Sequence, residues 1–386
     1  MPSSALDDMR HQSFVDPLRL AHVIYGGEER LHRLRHLWEL IEKDPTFDKS
    51  NRAYLNHTER YIQACKKIAR FAEIVKNLSL NTLDDIYDAY LAIDENLPID
   101  VHLSMFIPLL SLLCTPDQTK QWIDDAMQFR LIGAYAQTEL GHGSNVRGIE
   151  TTATFDILRD EIILHSPSLT STKFWPGGLA YTATHAVVFA NLIVLEQNLG
   201  PHPFMVQIRS LEDMRPLPGV TLGDIGPKIG YNSMDNGYAV FDHVRIPRSN
   251  MLMGVGRLSG SGDYHREKGA EKLLYAVMLD VRARIIANSA YVLARALTIC
   301  IRYSIVRTQG FDAKGRERRV FDYPTQRMVI VPILAYNYAL HFTGLAIRAA
   351  YETYRNSDPS TLPDLHASTA GLKALYVGSY RKIQCS

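Results

Sequence analysis

Tyr135-Ala-Gln-Thr-Glu-Leu-Gly-His-Gly-Ser-Asn145 and, further along, Phe174-Trp-Pro-Gly-Gly178 are the two stretches that decide the reading of this chain. Each has the pattern of a β-strand end running into a glycine-bearing turn. Tyr135, Gln137 and Thr138 bring polar atoms to the first strand end, and Gly141 and Gly143 let a ligand approach the backbone without a Cβ in the way. Phe174 and Trp175 set an aromatic wall beside two adjacent glycines. Together the pieces suit a flat, hydrogen-bonding ring with one face stacked and its heteroatom edge met by backbone N–H groups. An isoalloxazine is such a ring. Either motif alone is ordinary turn chemistry.

Between them, Thr151-Thr-Ala-Thr-Phe-Asp-Ile-Leu alternates with the period of a strand, and Glu161-Ile-Ile-Leu-His165 follows a short polar turn. Here the sequence resembles the peroxisomal acyl-CoA oxidases, the oxygen-using branch of the acyl-CoA dehydrogenase superfamily. The matching segments are YAQTELGHGSNVRGIETTATFD, HSPSLTSTKFWPGGLAYTATHAVVFANLI, PLPGVTLGDIGPKIGYNSMDNGY, VRIPRSNML, IRYSIVRTQ and LHASTAGLKAL, all in the family's order. The resemblance covers nearly the whole chain.

Composition sets wider bounds. The 386 residues are 46% hydrophobic, enough for substantial cores and two or three domains. A net charge of +1 gives no overall basic field for nucleic acid. Cys65, Cys114, Cys300 and Cys385 are far apart, which reads as free thiols with neither a disulfide frame nor a zinc site. No uninterrupted apolar run of about 18 residues is visible, so no transmembrane segment is expected, and no signal peptide is recognised.

An α+β fold follows, with three expected domains. Residues 1–132 read as an N-terminal helical domain, 133–270 as a central antiparallel β domain for flavin and substrate, and 271–386 as a C-terminal helical domain, truncated. Thr58 to Ala72 places Ile62, Cys65, Ile68, Ala69 and Ala72 on one helical face. Thr115-Pro-Asp-Gln118 is a helix start, with Trp122, Ile123 and Ala126 as the buried stripe behind it. Pro324 and Pro363 suit first turns, and Pro332 should kink a helix. Helices, then a β domain, then helices is the order of the superfamily.

The resemblance implies an FAD-dependent acyl-CoA oxidase of fatty-acid β-oxidation, yielding trans-2-enoyl-CoA and reducing O2 to H2O2. Fatty acyl-CoA and molecular oxygen are then its substrates, and a homodimer is implied. It carries flavin-contacting roles onto Thr138 and Gly177, with Gln137 beside them and Trp175 as a packing wall. Arg307 and Gln309, in a segment read as helical, are expected to reach the flavin pyrophosphate of a neighbouring subunit. Ser144 and Asn145 are placed on the thioester or pantetheine path, and Arg282 near the substrate site. His142 reads as a turn residue and Asp235-Asn-Gly237 as a tight hairpin turn.

One departure stands out. The family's catalytic glutamate lies in a T-F/Y-E-G-E-N motif beyond a G-G-H-G-Y segment, and neither motif occurs in these 386 residues. After Leu365 to Leu375 the chain turns to Tyr376-Val-Gly-Ser379 and ends seven residues later at Ser386. It therefore reads as a C-terminally truncated relative with an incomplete bundle and no family base. Some superfamily members carry the base just before the arginine that Arg282 matches; that position is Val281, and Asp280 beside it is a weak candidate. The alternative reading is a catalytically silent truncated isoform that binds FAD or acyl-CoA, or modulates full-length subunits. The family implies the peroxisome, but Ile383-Gln-Cys-Ser386 is not an S-K-L-type address, which keeps the cytoplasm open.

Overall fold

The computed structural model describes residues 4–266, 270–356 and 359–384. Cys385 lies outside the described residues. Helices α1 (Ser4–His11), α2 (Pro17–Tyr25), α3 (Glu28–Lys43), α4 (His57–Asn77), α5 (Leu83–Ile93), α6 (Ile107–Leu113) and α7 (Pro116–Met127) precede the two main sheets, and α8 (Ala270–Val306), α9 (Pro324–Asn356) and α10 (Leu362–Gln384) follow them, with a short two-stranded ribbon between α8 and α9. By internal contacts the chain forms two compact units, His32–Val277 and Met1–Leu31 with Met278–Ser386.

In the larger unit, β1 (Gly133–Ala136), β2 (Thr152–Asp156), β3 (Glu161–His165), β5 (His185–Val194), β6 (Gln197–Gln207) and β9 (Val244–Pro247) form one sheet. A second sheet joins β4 (Lys173–Phe174), β8 (Gly237–Phe241) and β7 (Val220–Asp224). The first sheet is mixed, which corrects the expectation of a wholly antiparallel domain: β1 and β2 both run parallel to β5. Tyr135, Val187, Phe189 and Met205 pack into one core with α4 to α7, while Ala186, Val188, Ala190 and Val206 pack into a second core on the opposite face. A sheet buried on both faces explains why Ala186-Val-Val-Phe-Ala is continuously apolar.

The helix start at Thr115 is as read: the Thr115 and Gln118 side chains form a reciprocal capping box, with Trp122 and Ala126 buried. The α4 stripe is different. Its buried residues are Ala64, Lys67, Ile68, Phe71, Ile74 and Val75, and Ile62 is exposed. The face is rotated because it contains a lysine. Lys67 is buried by pairing with Glu95 at 2.5 Å, and hydrophobic periodicity counts such a residue as polar.

In the smaller unit, α9 begins at Pro324 and continues as one helix through Pro332. Ala283, Ile286, Ala290, Leu293 and Leu297 of α8 meet Ile330, Leu340 and Ile347 of α9. Met278–Val306 and Pro324–Arg355 are long and apolar enough, by length and composition, to cross a membrane. No uninterrupted apolar run marks them in the sequence, because arginines break the first and Asn337 and His341 break the second. The same composition belongs to helices that bury more than one face in a bundle.

Candidate functional site

β1 is fixed at its start by a buried histidine. The Gly133 N–H donates to His102 Nδ1 (3.0 Å), and His102 Nε2 lies 3.0 Å from the Ala126 carbonyl. Burial holds His102 down at about 4, so a neutral ring with one donor and one acceptor suits both bonds. From this anchor the chain runs through Ala136 into the first motif.

The two motifs quoted at the outset lie side by side. Thr138 Oγ1 donates to the Phe174 carbonyl at 2.7 Å, and the Phe174 N–H donates back to the Thr138 carbonyl at 3.1 Å. Tyr135 donates its hydroxyl to Gln137 Oε1. Since the Thr138 proton goes to Phe174, the hydroxyl has lone pairs rather than a donor left for a ligand.

Behind this seam lies a fully buried ion pair. Lys173 Nζ donates to Glu139 Oε1 (2.9 Å), to the Phe189 carbonyl (2.6 Å) and to the Gln137 carbonyl (3.3 Å), and both side chains are 0% exposed. Glu139 also accepts from the N–H groups of Glu150 and Thr151 and from the Thr151 hydroxyl, and His142 Nδ1 is 3.1 Å away. Burial raises the Glu139 pKa, but the Lys173 charge and these donors outweigh it and hold the carboxyl below its ordinary value. Burial brings Lys173 down to about 8 against the pull of Glu139. One carboxylate thus gathers both ends of the loop from Glu139 to Thr151, with His142 as a turn residue on it. Ser144 and Asn145 are exposed on this loop, as is Gly143, where an added Cβ would meet nothing within 4 Å. Gly141 is a glycine for another reason: a Cβ there would meet Thr170 at 2.8 Å.

The Phe174–Gly178 turn is held from two sides. Trp175 has φ +84, a conformation rarely adopted by a bulky residue, and its side chain is 55% exposed. Its N–H donates to the Gly237 carbonyl, and its own carbonyl accepts from Asn236 Nδ2. Gly177 has no room for a side chain, since a Cβ would lie 2.9 Å from both Met234 Sδ and Val101 Cγ2. Its glycine is therefore demanded by protein packing, whatever ligand lies outside.

Sequence reading missed Asp235 and Arg209. Asp235-Asn-Gly237 is not a tight hairpin turn, because β7 ends at Asp224 and a longer loop leads to β8. Asp235 is buried, and its Oδ2 accepts from the N–H groups of Tyr181 and Thr182 (2.8 Å each) and from the Thr182 hydroxyl (3.0 Å). Burial pushes its carboxyl up to about 6 despite those bonds. Arg209, also buried, donates to the carbonyls of Leu179, Ala180 and Ala183. The segment after the W-P-G-G turn thus has its N–H groups held by an acid and its carbonyls by a base. A charged residue flanked by strand-forming residues, as Lys173 and Arg209 are, was the available signal.

In the smaller unit lies Asp280, the weak candidate for the base. It is buried and paired with Arg284 (2.8 Å) and Arg348 (3.0 Å), which ties α8 to α9. Arg282 Nη1 lies 3.2 Å from His366 Nδ1. The segment from Tyr303 is helical only to Val306. Arg307 follows the helix end, and Gln309 lies in the strand Thr308–Phe311, which pairs with Glu317–Arg319; both residues are exposed. Cys65, Cys114 and Cys300 are free thiols, and burial pushes Cys114 up to about 12.

Residues 16–132 match the family model of the acyl-coenzyme A oxidase N-terminal region, and residues 275–382 match that of the acyl-CoA oxidase C-alpha1 domain. Peroxisomal acyl-coenzyme A oxidase 1 of Arabidopsis thaliana is 43% identical over 378 residues, covering 96% of this chain and 57% of that protein. The chain belongs to the acyl-CoA oxidase family. Its rat relative, also a peroxisomal acyl-coenzyme A oxidase 1, is 41% identical over 95% of this chain and 56% of its own length. Among solved structures, Arabidopsis acyl-CoA oxidase 1 superposes with a TM-score of 0.92 at 41% identity, covering 98% of this chain and 58% of that one. Acyl-CoA oxidase-2 of Caenorhabditis elegans, bound with FAD, ascaroside-CoA and ATP, gives 0.91 at 37% identity, covering 98% of this chain and 58% of that one. The chain thus spans little more than half the length of these family members.

Proposed function

We propose that this polypeptide forms the FAD-binding and acyl-CoA-binding part of a peroxisomal acyl-CoA oxidase. One observation carries the reading: the hydrogen-bonded seam of Thr138 and Phe174, which joins the strand end entering the open glycine loop to the turn bearing Trp175, an exposed residue on a strained backbone. Backbone strain of this kind, about 1–3 kcal/mol, persists where surrounding structure enforces it, and such positions cluster at ligand clamps. The residues fit the group: an indole face for stacking, lone pairs on Thr138 and Gln137 of which one can meet the ring's single N–H, and no side chain at Gly143.

FAD, when bound, would accept the hydride from the acyl β-carbon and pass the electrons to dioxygen. The protein's own share is positional. Trp175 supplies the wall, the Glu139–Lys173 pair fixes the loop bearing Ser144 and Asn145, and Asp235 with Arg209 fixes the turn bearing Gly177. Ser144, Asn145 and Arg282 are assigned to the acyl-CoA, and Arg307 and Gln309 to the flavin pyrophosphate in a second copy of a homodimer. These assignments rest on the resemblance. Since two arginines occupy Asp280, no carboxylate of this chain is assigned the α-proton.

The test is FAD titration by fluorescence quenching, followed by anaerobic addition of acyl-CoA and a peroxide assay in air. The folded protein should take up FAD, and Trp175→Ala should weaken uptake at least tenfold. A folded protein that takes up no FAD sinks the proposal.

A further inference from the structure

A cavity of about 350 Å³ lies wholly within the smaller unit, between α2, α8 and α9. Its volume is in the range of small-molecule sites. None of the residues assigned to flavin or acyl-CoA lines it. α8 and α9 run antiparallel past it. A Cβ on Gly344 would meet Ala287, the rings of Tyr291 and His341 are 6.2 Å apart, and Gln326 reaches Ser304. This register orders the lining: Asn337 and His341 stand toward the Tyr291 end, and Leu297, Ile301 and Leu334 lie toward the other, with the exposed Thr298 and Arg302 beside them.

The two ends differ in chemistry. Asn337 and His341 are each only 8% exposed, yet Asn337 Oδ1 and His341 Nε2 are buried without a hydrogen-bond partner. Buried polar atoms are nearly always paired, and leaving one unpaired costs about 1–3 kcal/mol. The imidazole bonds the Ile24 backbone, which leaves Nε2 as its unpartnered nitrogen, and burial lowers the ring's pKa. A neutral ring whose N–H serves Ile24 presents a lone pair at Nε2. Both unpartnered atoms are then acceptors, four residues apart on one helix face.

We infer that this cavity binds a neutral aliphatic amide, its NH2 donating to Asn337 Oδ1 and His341 Nε2 and its hydrocarbon lying along Leu297, Ile301 and Leu334. At the ~30 Å³ that one water takes in the liquid, the volume holds roughly a dozen heavy atoms. That matches a head with a tail of about eight carbons. A carboxylate of the same length would set acceptors against acceptors, and an alcohol has one donor where two are wanted.

Isothermal titration of the whole chain with octanamide tests this, with octanoate and octanol as comparison arms. Octanamide should bind at one site and at least tenfold tighter than octanoate, with octanol between them. Asn337→Leu should weaken octanamide about tenfold. Ala294→Met, which narrows the groove from α8 opposite Asn337, should abolish binding with the thermal melt unchanged. The inference is overturned if octanamide does not saturate the unmodified protein, if octanoate binds as tightly, or if both variants keep full affinity.

Discussion

Each unit of this protein buries a carboxylate among cations, and the two clusters do different work. Glu139 has a lysine, two backbone N–H groups and a hydroxyl, with no exposure on either member of its ion pair. Asp280 has two arginines, Arg284 and Arg348, which keep 13% and 25% of their side chains in contact with solvent. The first cluster converts charge into loop shape, because its acceptors are spent on backbone. The second converts charge into helix pairing, because its acceptors are spent on side chains from α8 and α9. A buried acid near a candidate site is thus no sign of a base; the identity of its donors tells what it does.

Substitutions at the two clusters can break or sharpen that contrast. Lys173→Met should have the largest effect. It strands Glu139 in a dry site, a loss of about 3–5 kcal/mol of the kind seen when one partner of a buried pair is removed, and FAD affinity should fall with it. Chemical denaturation and flavin titration of the same sample would show both. If stability fell while affinity held, the link between the pair and the loop would be lost.

Asp235 offers a pH test next in size. Its folded pKa of about 6 lies above the ordinary 3.8, so the native state holds a proton that the unfolded state has released. Stability from this group is therefore greatest below about pH 4, declines as pH rises toward 6, and is flat above. Two pKa units correspond to roughly 2–3 kcal/mol. Asp235→Asn keeps an oxygen for Tyr181 and Thr182, so it should flatten that decline; Asp100, also pushed up to about 6 by burial, would keep the rest of the slope. An unchanged slope between pH 4 and 6 would remove Asp235 from the account.

Asp280→Ala should cost about 2 kcal/mol, less than Lys173→Met because the arginines it releases are partly solvated. It should leave FAD affinity unaltered, and a fall in affinity would erase the distinction between the clusters. Thr138→Val should be smallest in stability. It deletes one hydrogen bond, worth about 1 kcal/mol, and should loosen FAD about fivefold. Gly177→Val is a poorer probe than the sequence implied, since its Cβ collides with Met234 and Val101 whether or not a ligand is present.

Much of this was legible beforehand. The capping box at Thr115 and the alternating strands around Thr152 and Glu161 express local rules, so a single sequence carries them, whereas the adjacency of the two glycine motifs rested on the family resemblance. What stayed hidden was long-range charge pairing. Lys67 rotated the α4 face, Lys173 and Arg209 went inward, and Asp235 left an apparent turn for the core, each because a partner far away in sequence satisfied it. The parallel pairing of β1 and β2 with β5 was hidden for a similar reason, since alternation shows a strand but not its neighbour's direction.

Trp175 also gives the protein a built-in optical reporter. The chain has three tryptophans, of which Trp122 is buried, Trp38 is half-buried and Trp175 alone is open to solvent. Excitation at the red edge therefore selects the indole at the glycine turn, and its emission should respond to anything that stacks on that turn. Occupancy can be followed in unlabelled protein.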